Sequence, residues 1–146
     1  MLKGLDPLLT AELLFVLKSM GHGDDIVICD RNHPAATIAA QTTHGQLLTL
    51  FGADIPSATR AILSLMPLDT FVETPVLRMK VVGDPDRLVD IHHAMQRLVD
   101  EVEGRPIWIG ALERFDFYEA AKRAFAIVQT TDTGPYGCFI LRKGVL

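Results

Sequence analysis

The sequence predicts an α/β fold. Three features carry that expectation: a β-branched run at residues 26–29, apolar residues at helical spacing over 88–102, and turn residues parting strand-like from helical segments throughout. The 146 residues make one ordinary domain, residues 1–146, large enough to bury a core without covalent staples. Hydrophobic residues at 49% and charged residues at 22% exclude intrinsic disorder for most of the chain.

Thr10 suits the N-cap of a first helix, since its hydroxyl accepts a free amide of the first turn and Glu12 favours the positive end. Leu13, Leu14, Phe15, Val16, Leu17 and Met20 leave that helix apolar over most of its circumference, and Gly21 and Gly23 stop it. The continuous run Ile26-Val27-Ile28-Cys29 then reads as a strand buried on both faces, which places Asp30 at its carboxyl end. Residues 31–44 show no clean period and are expected to form a loop with a short strand. An apolar segment at 46–51 follows, and Pro56 suits the first turn of a helix that runs to about Met66 and ends by Pro67. Residues 76–82 are strand-like. Gly83-Asp84-Pro85 opens a longer helix through about Val102, with Leu88, Ile91, Met95, Leu98 and Val102 on one face, and Gly104-Arg105-Pro106 ends it. Residues 107–109 are strand-like, 115–125 helical and 126–129 strand-like, and Phe139-Ile140-Leu141 forms a last strand after the Gly134-Pro135 turn.

Charge and cysteine usage narrow the function. With 14 Lys and Arg against 18 Asp and Glu, and no basic run, a polyanion such as nucleic acid is not an expected partner. Cys29 and Cys138 lie in apolar contexts, outside any Cys-x-x-Cys pair or metal-ligand spacing, so the expected setting is reducing and cytoplasmic, with no metal site. Acid and proline at Asp6-Pro7 interrupt the first apolar residues, and no stretch reaches the ~20 apolar residues of a membrane span, so neither export nor a membrane partner is expected. Walker, dinucleotide-binding and nucleophile-elbow patterns are absent, so no nucleotide cofactor is expected.

Candidate chemistry centres on Gly21-His22-Gly23 and Asp30. An imidazole flanked by two glycines is accessible, and histidine side chains ordinarily titrate near 6.5, where they can both donate and accept a proton. Ligands of α/β sheets gather at strand carboxyl ends, where Asp30 sits, and the intervening chain can return to the helix end. The same residues also serve simply as a helix-terminating turn and a turn or cap residue. His33, just after Asp30, is a second candidate for the same pocket, whereas His44 precedes Gly45 in a turn and is expected at the surface. Adjacent His92 and His93 point about 100° apart on a helix, cannot share one metal ion, and are expected at the surface or rim. Arg114 opens a helix, where the backbone dipole disfavours a cation. An arginine there gains something elsewhere, such as contact with ligand hydroxyls or a carboxylate.

Several separated motifs in order then carry a resemblance. They are Leu2-Lys3-Gly4 with Pro7-Leu8-Leu9, Glu12-Leu13-Leu14, Met20-Gly21-His22-Gly23-Asp24, Asp30 with Asn32-x-Pro34-Ala35, Arg114-Phe115-x-Phe117-Tyr118-Glu119, and Tyr136-Gly137 followed by Leu141-Arg142-Lys143-Gly144-Val145. The sequence resembles the sugar mutarotases related to ribose pyranase, in particular the L-fucose mutarotase branch, over nearly the whole chain. The match is poor at 37–51 and 82–107. The resemblance implies a single three-layer domain with a mixed, largely parallel sheet flanked by helices, and an enzyme that interconverts the α and β anomers of a free sugar without metal or nucleotide. It implies that His22 is the proton donor and that Asp30, Arg114 and the Tyr136-Gly137-Cys138 segment bind the sugar. It also implies a ring-shaped homo-oligomer, commonly a decamer, with sites near subunit contacts. The apolar first helix and a mean hydropathy of +0.24 are compatible with such assembly. Two positions depart from the family pattern: Cys138 stands where asparagine is usual, and His33 where phenylalanine is common. A thiol makes weaker hydrogen bonds than an amide, so the departures point to a shifted sugar preference. A sugar-binding or transport-accessory protein without turnover, and a structural ring protein, are the alternatives.

Overall fold

The computed structural model describes residues 2–146. The run at 26–29 becomes strand β1 (Asp25–Cys29), whose Ile26, Val27, Ile28 and Cys29 have no exposed surface. Because strand side chains alternate, Ile26 and Ile28 enter the core on one face of the sheet while Val27 and Cys29 enter the core on the other. Helices cover both faces, which is why this strand reads as an unbroken apolar run. One core joins the sheet to α1 (Ala11–Ser19), α3 (Ile55–Leu63) and α4 (Asp90–Glu103), and the other joins it to α2 (Ala35–Ala39) and α5 (Arg114–Lys122).

Local chemistry sets the helix ends. The Thr10 hydroxyl accepts from the Leu13 N–H at 3.2 Å, and the chain leaves α1 at an extended Met20. Asp54 caps α3 through the Ser57 N–H at 2.8 Å, with Pro56 in the first turn, and a left-handed Gly104 closes α4. Three expectations shift. Residues 35–39 form a helix instead of a short strand, because Ala35, Ile38 and Ala39 pack one face on the sheet, although so short an alanine-rich segment shows no readable period. Residues 83–89 are turns and irregular loop, so α4 begins at Asp90 instead of near Pro85. The strand expected at 107–109 lies two residues on, as β4 (Ile109–Leu112).

The remaining strands are β2 (Leu47–Leu50), β3 (Val76–Met79), β5 (Ala126–Thr130) and β6 (Cys138–Arg142). The sheet order is β2-β5-β1-β6-β3-β4. Five strands run one way, and β6 runs antiparallel between β1 and β3, so the three-layer, mixed and largely parallel sheet is as expected. The reversed β6 has a direct consequence. Its amino end lies at the same sheet edge as the carboxyl ends of β1, β3 and β4, so four adjacent strands deliver Asp30, residues 136–138, residues 79–82 and Arg114 to one place. Among the described residues no helix is long and apolar enough to cross a membrane.

Candidate functional site

A cavity of about 240 Å³ opens at that edge, lined by Asp30, His33, Met79, Arg114, Tyr136 and Cys138 together with neighbouring loop residues. It is smaller than the ~300–1,000 Å³ typical of drug-sized ligand pockets, in keeping with a compact ligand. A larger groove of about 660 Å³ lies against α1 and the last residues of the chain, but leucines and other apolar groups dominate its lining. Convergent polar groups distinguish the smaller cavity.

Asp30 anchors it. One carboxylate oxygen accepts the Asn32 N–H at 2.7 Å and the other the Gly137 N–H at 2.9 Å, while the Asp30 N–H donates to the Gly137 carbonyl at 2.9 Å. Burial raises the Asp30 pKa, and these donors pull it back. Gly137 packs closely: a Cβ there would press on the terminal methyl of Ile55, which would have to shift, and lie 3.4 Å from Asp30. Tyr136 has a positive φ of 62°, a strained conformation for a bulky residue, and its phenol oxygen accepts the Val82 N–H at 3.1 Å. The phenol proton thus remains available to a ligand. Arg114 is the first residue of α5, its Cζ lies 4.6 Å over the Phe115 ring, and its Nε is buried without a hydrogen-bond partner. A guanidinium held but not saturated suits recognition of paired hydroxyls.

Cys138 and His33 form the floor. The Cys138 thiol lies 3.8 Å from an Asp30 oxygen and 3.5 Å from His33 Nδ1. Burial, reinforced by Asp30, pushes its pKa up, so it remains a protonated donor and not a nucleophilic thiolate. The thiol faces Cys29 across the β1–β6 ladder, and both cysteines are free. His33 is 6% exposed, stands edge-on to Phe117 and Tyr118, and its pKa is lowered to about 4 by burial. Among the described residues no group of three or more His, Cys, Asp or Glu is arranged to hold a metal ion.

Neutral buried histidines have a measurable consequence. Burial lowers both His33 and His92 to about 4, so they are uncharged in the folded chain at pH 5, where an unfolded histidine is protonated. The unfolded state then binds more protons, so this contribution to stability is present above the unfolded value and is lost as pH falls from about 6.5 towards 4. Asp30, raised from 3.8 by burial, acts in the opposite sense above that value. His33→Phe is expected to reduce proton uptake on unfolding at pH 5 by about one proton. Stability curves against pH for the two proteins should diverge through that window, and parallel curves would contradict a neutral buried His33.

The structure brings Asp30, Arg114, Tyr136, Gly137, Cys138 and His33 together, but it does not bring His22 to them. His22 sits in the turn before β1, and Asp30 follows its far end. Five strand residues at ~3.3 Å each hold them on the order of 17 Å apart along β1. The expected return of the chain to the helix end fails because the strand runs directly away from it. His22 instead pairs with Asp69, a residue not singled out in the sequence: Nε2 lies 3.1 Å from Oδ1, with the imidazole 40% exposed and the carboxylate 3%. The Phe71 N–H donates to the same oxygen at 2.9 Å and, with His22, holds the Asp69 pKa below its usual value. The Phe71 ring stands edge-on to the imidazole at 5.0 Å and is 72% exposed. Asp69 reaches this place because Leu68 bridges to Lys143 beyond β6 and the Gly23 N–H bonds the Lys143 carbonyl. No sequence signal marks that pairing. His44 is half-buried beside Glu12 and not fully exposed. His93 is exposed as expected, whereas His92 is buried because it faces Phe139 in the core.

Residues 3–146 match the model of the RbsD / FucU transport protein family. The chain is 43% identical to the fucose mutarotase of Homo sapiens, covering 99% of this chain and 94% of the human protein. It is 36% identical to the L-fucose mutarotase of Haemophilus influenzae, covering 99% and 97%. Its structure superimposes with a TM-score of 0.85 on the fucose mutarotase of Streptococcus pneumoniae in complex with L-fucose, at 36% identity and with 99% of each chain covered. On family match, identity and shape together, the chain belongs to the RbsD / FucU family.

Proposed function

We propose that the protein is an isomerase, a mutarotase that interconverts the α and β anomers of a free monosaccharide, with L-fucose the foremost substrate. The observation that carries this reading is the convergence of Asp30, Arg114 and Tyr136 on one small cavity at the carboxyl edge of the parallel strands. The fucose mutarotases to which the chain is similar support the choice of sugar. Opening a pyranose needs a proton delivered to the ring oxygen while one leaves the anomeric hydroxyl. The open aldehyde then rotates and recloses on its other face. No redox partner takes part. Arg114 offers a planar fork to neighbouring hydroxyls, Tyr136 a phenol proton, and Asp30 orients the peptide that carries Tyr136.

The proton carrier in this reading is His22, backed by the Asp69 carboxylate. Within one chain it lies at the wrong edge of the sheet, so the complete site requires a second copy whose His22 turn docks beside the pocket. Exposed Phe15, Phe71, Trp108 and Phe115 supply apolar surface for such assembly. A decameric ring in the cytoplasm is the form proposed.

Exchange NMR on free L-fucose, D-ribose and D-galactose tests the function. Protein-dependent acceleration of anomer exchange, greatest for L-fucose, is expected. Line broadening without exchange would make the protein a sugar binder without turnover. The absence of both for every sugar would overturn the sugar-pocket reading.

A further inference from the structure

We propose that His92 is the positioning residue that sets Tyr136 in the pocket, an inference that rests on the sugar-binding reading of that cavity. His92 is 3% exposed and lies in the first turn of α4, a helix that contributes nothing to the pocket lining. Its two ring nitrogens have distinct partners. Nδ1 lies 3.3 Å from the Val89 N–H and accepts from it, so Nδ1 carries no proton. In the neutral ring the proton is then on Nε2, which donates to the Tyr136 carbonyl at 3.3 Å.

The peptide gripped in this way is an unusual one. Its carbonyl edge is held by His92 and its N–H edge, that of Gly137, by Asp30 at 2.9 Å. Tyr136 is the one residue other than glycine with positive φ among the described residues, and a bulky side chain leaves that conformation readily unless neighbours over-determine it. Rotation of this peptide would swing the phenol away from the Val82 N–H and out of the cavity. Asp30 alone fixes only one edge. His92 fixes the other, packed edge-on against Phe139 so that the imidazole itself cannot swing.

The test compares His92→Leu, which fills the space but cannot donate, with His92→Gln, whose terminal amide can. The protein contains two tyrosines, so the ring signals of Tyr136 are readily separated from those of Tyr118 by NMR. Loss of one hydrogen bond in His92→Leu is expected to raise KM by about three- to tenfold with kcat little changed, and to shift and broaden the Tyr136 ring signals. His92→Gln should restore both. Unmoved Tyr136 signals in a folded His92→Leu protein, or equal shifts in the two variants, would overturn the positioning role. The NMR signals are read without sugar, so this result stands apart from the pocket's function. Should Tyr136→Phe and Arg114→Ala leave sugar exchange untouched, the pocket reading would fail whatever the tyrosine signals show.

Discussion

Replacement of His22 by alanine is expected to return anomer exchange to its uncatalysed rate while the protein stays folded and assembled. The imidazole projects from a turn between two helix-ending glycines, and its contacts are the Asp69 carboxylate and the exposed Phe71 ring, so its removal opens no core cavity. What is lost is the group that can carry a proton in both directions, and positioned proton transfer contributes about 10² to 10⁴-fold to a rate. The reaction already proceeds slowly in water, so that range is sufficient for the whole enzymatic effect. Asp69→Asn provides the companion measurement. The amide keeps the shape but removes the charge that steadies an imidazolium, so kcat should fall while KM holds, and the loss should be smaller than in His22→Ala. Exchange NMR gives both constants, and size-exclusion chromatography reports assembly. A His22→Ala protein exchanging at the wild-type rate would remove the imidazole from the chemistry.

Much of the architecture was legible in the sequence wherever the determinants are local. The Thr10 cap, the stop at Met20, the unbroken β1 run and the proline entry to α3 depend on residues within a turn or two of one another, and each is seen in the structure. The motif resemblance implies that Asp30, Arg114 and residues 136–138 contact the ligand, and the topology gathers them at one edge. What escaped detection is set by distant pairing. Nothing near residues 138–142 announces that β6 inserts antiparallel between β1 and β3, yet that insertion puts Gly137 opposite Asp30 and Tyr136 next to it at the pocket. Asp69 gains its role through a bridge to Lys143, far along the chain. His92 and His93 are indistinguishable by helical spacing alone, and only the packing of α4 buries one and exposes its neighbour. The separation of His22 from Asp30 was readable in principle, since a five-residue strand between them carries the chain away from where it began.

That separation leads to the second large effect. Two inactive variants, His22→Ala and Arg114→Ala, should regain activity when co-expressed. If each working site combines His22 of one copy with the pocket of its neighbour, random mixing of equal amounts leaves about a quarter of sites with both groups intact. Each variant alone has none. Arg114→Ala is the suitable pocket partner because the guanidinium Nε has no hydrogen-bond partner to lose, whereas Asp30 is bonded to two backbone amides whose release would disturb the fold. Differently tagged copies, purified through both tags, supply the mixed assemblies, and exchange NMR measures them against wild type. Were both groups drawn from a single chain, no mixture could contain an intact site and the rate would remain at background. Recovery near a quarter would require His22 to act across a contact between copies, the arrangement demanded by a histidine and a pocket at opposite ends of one buried strand.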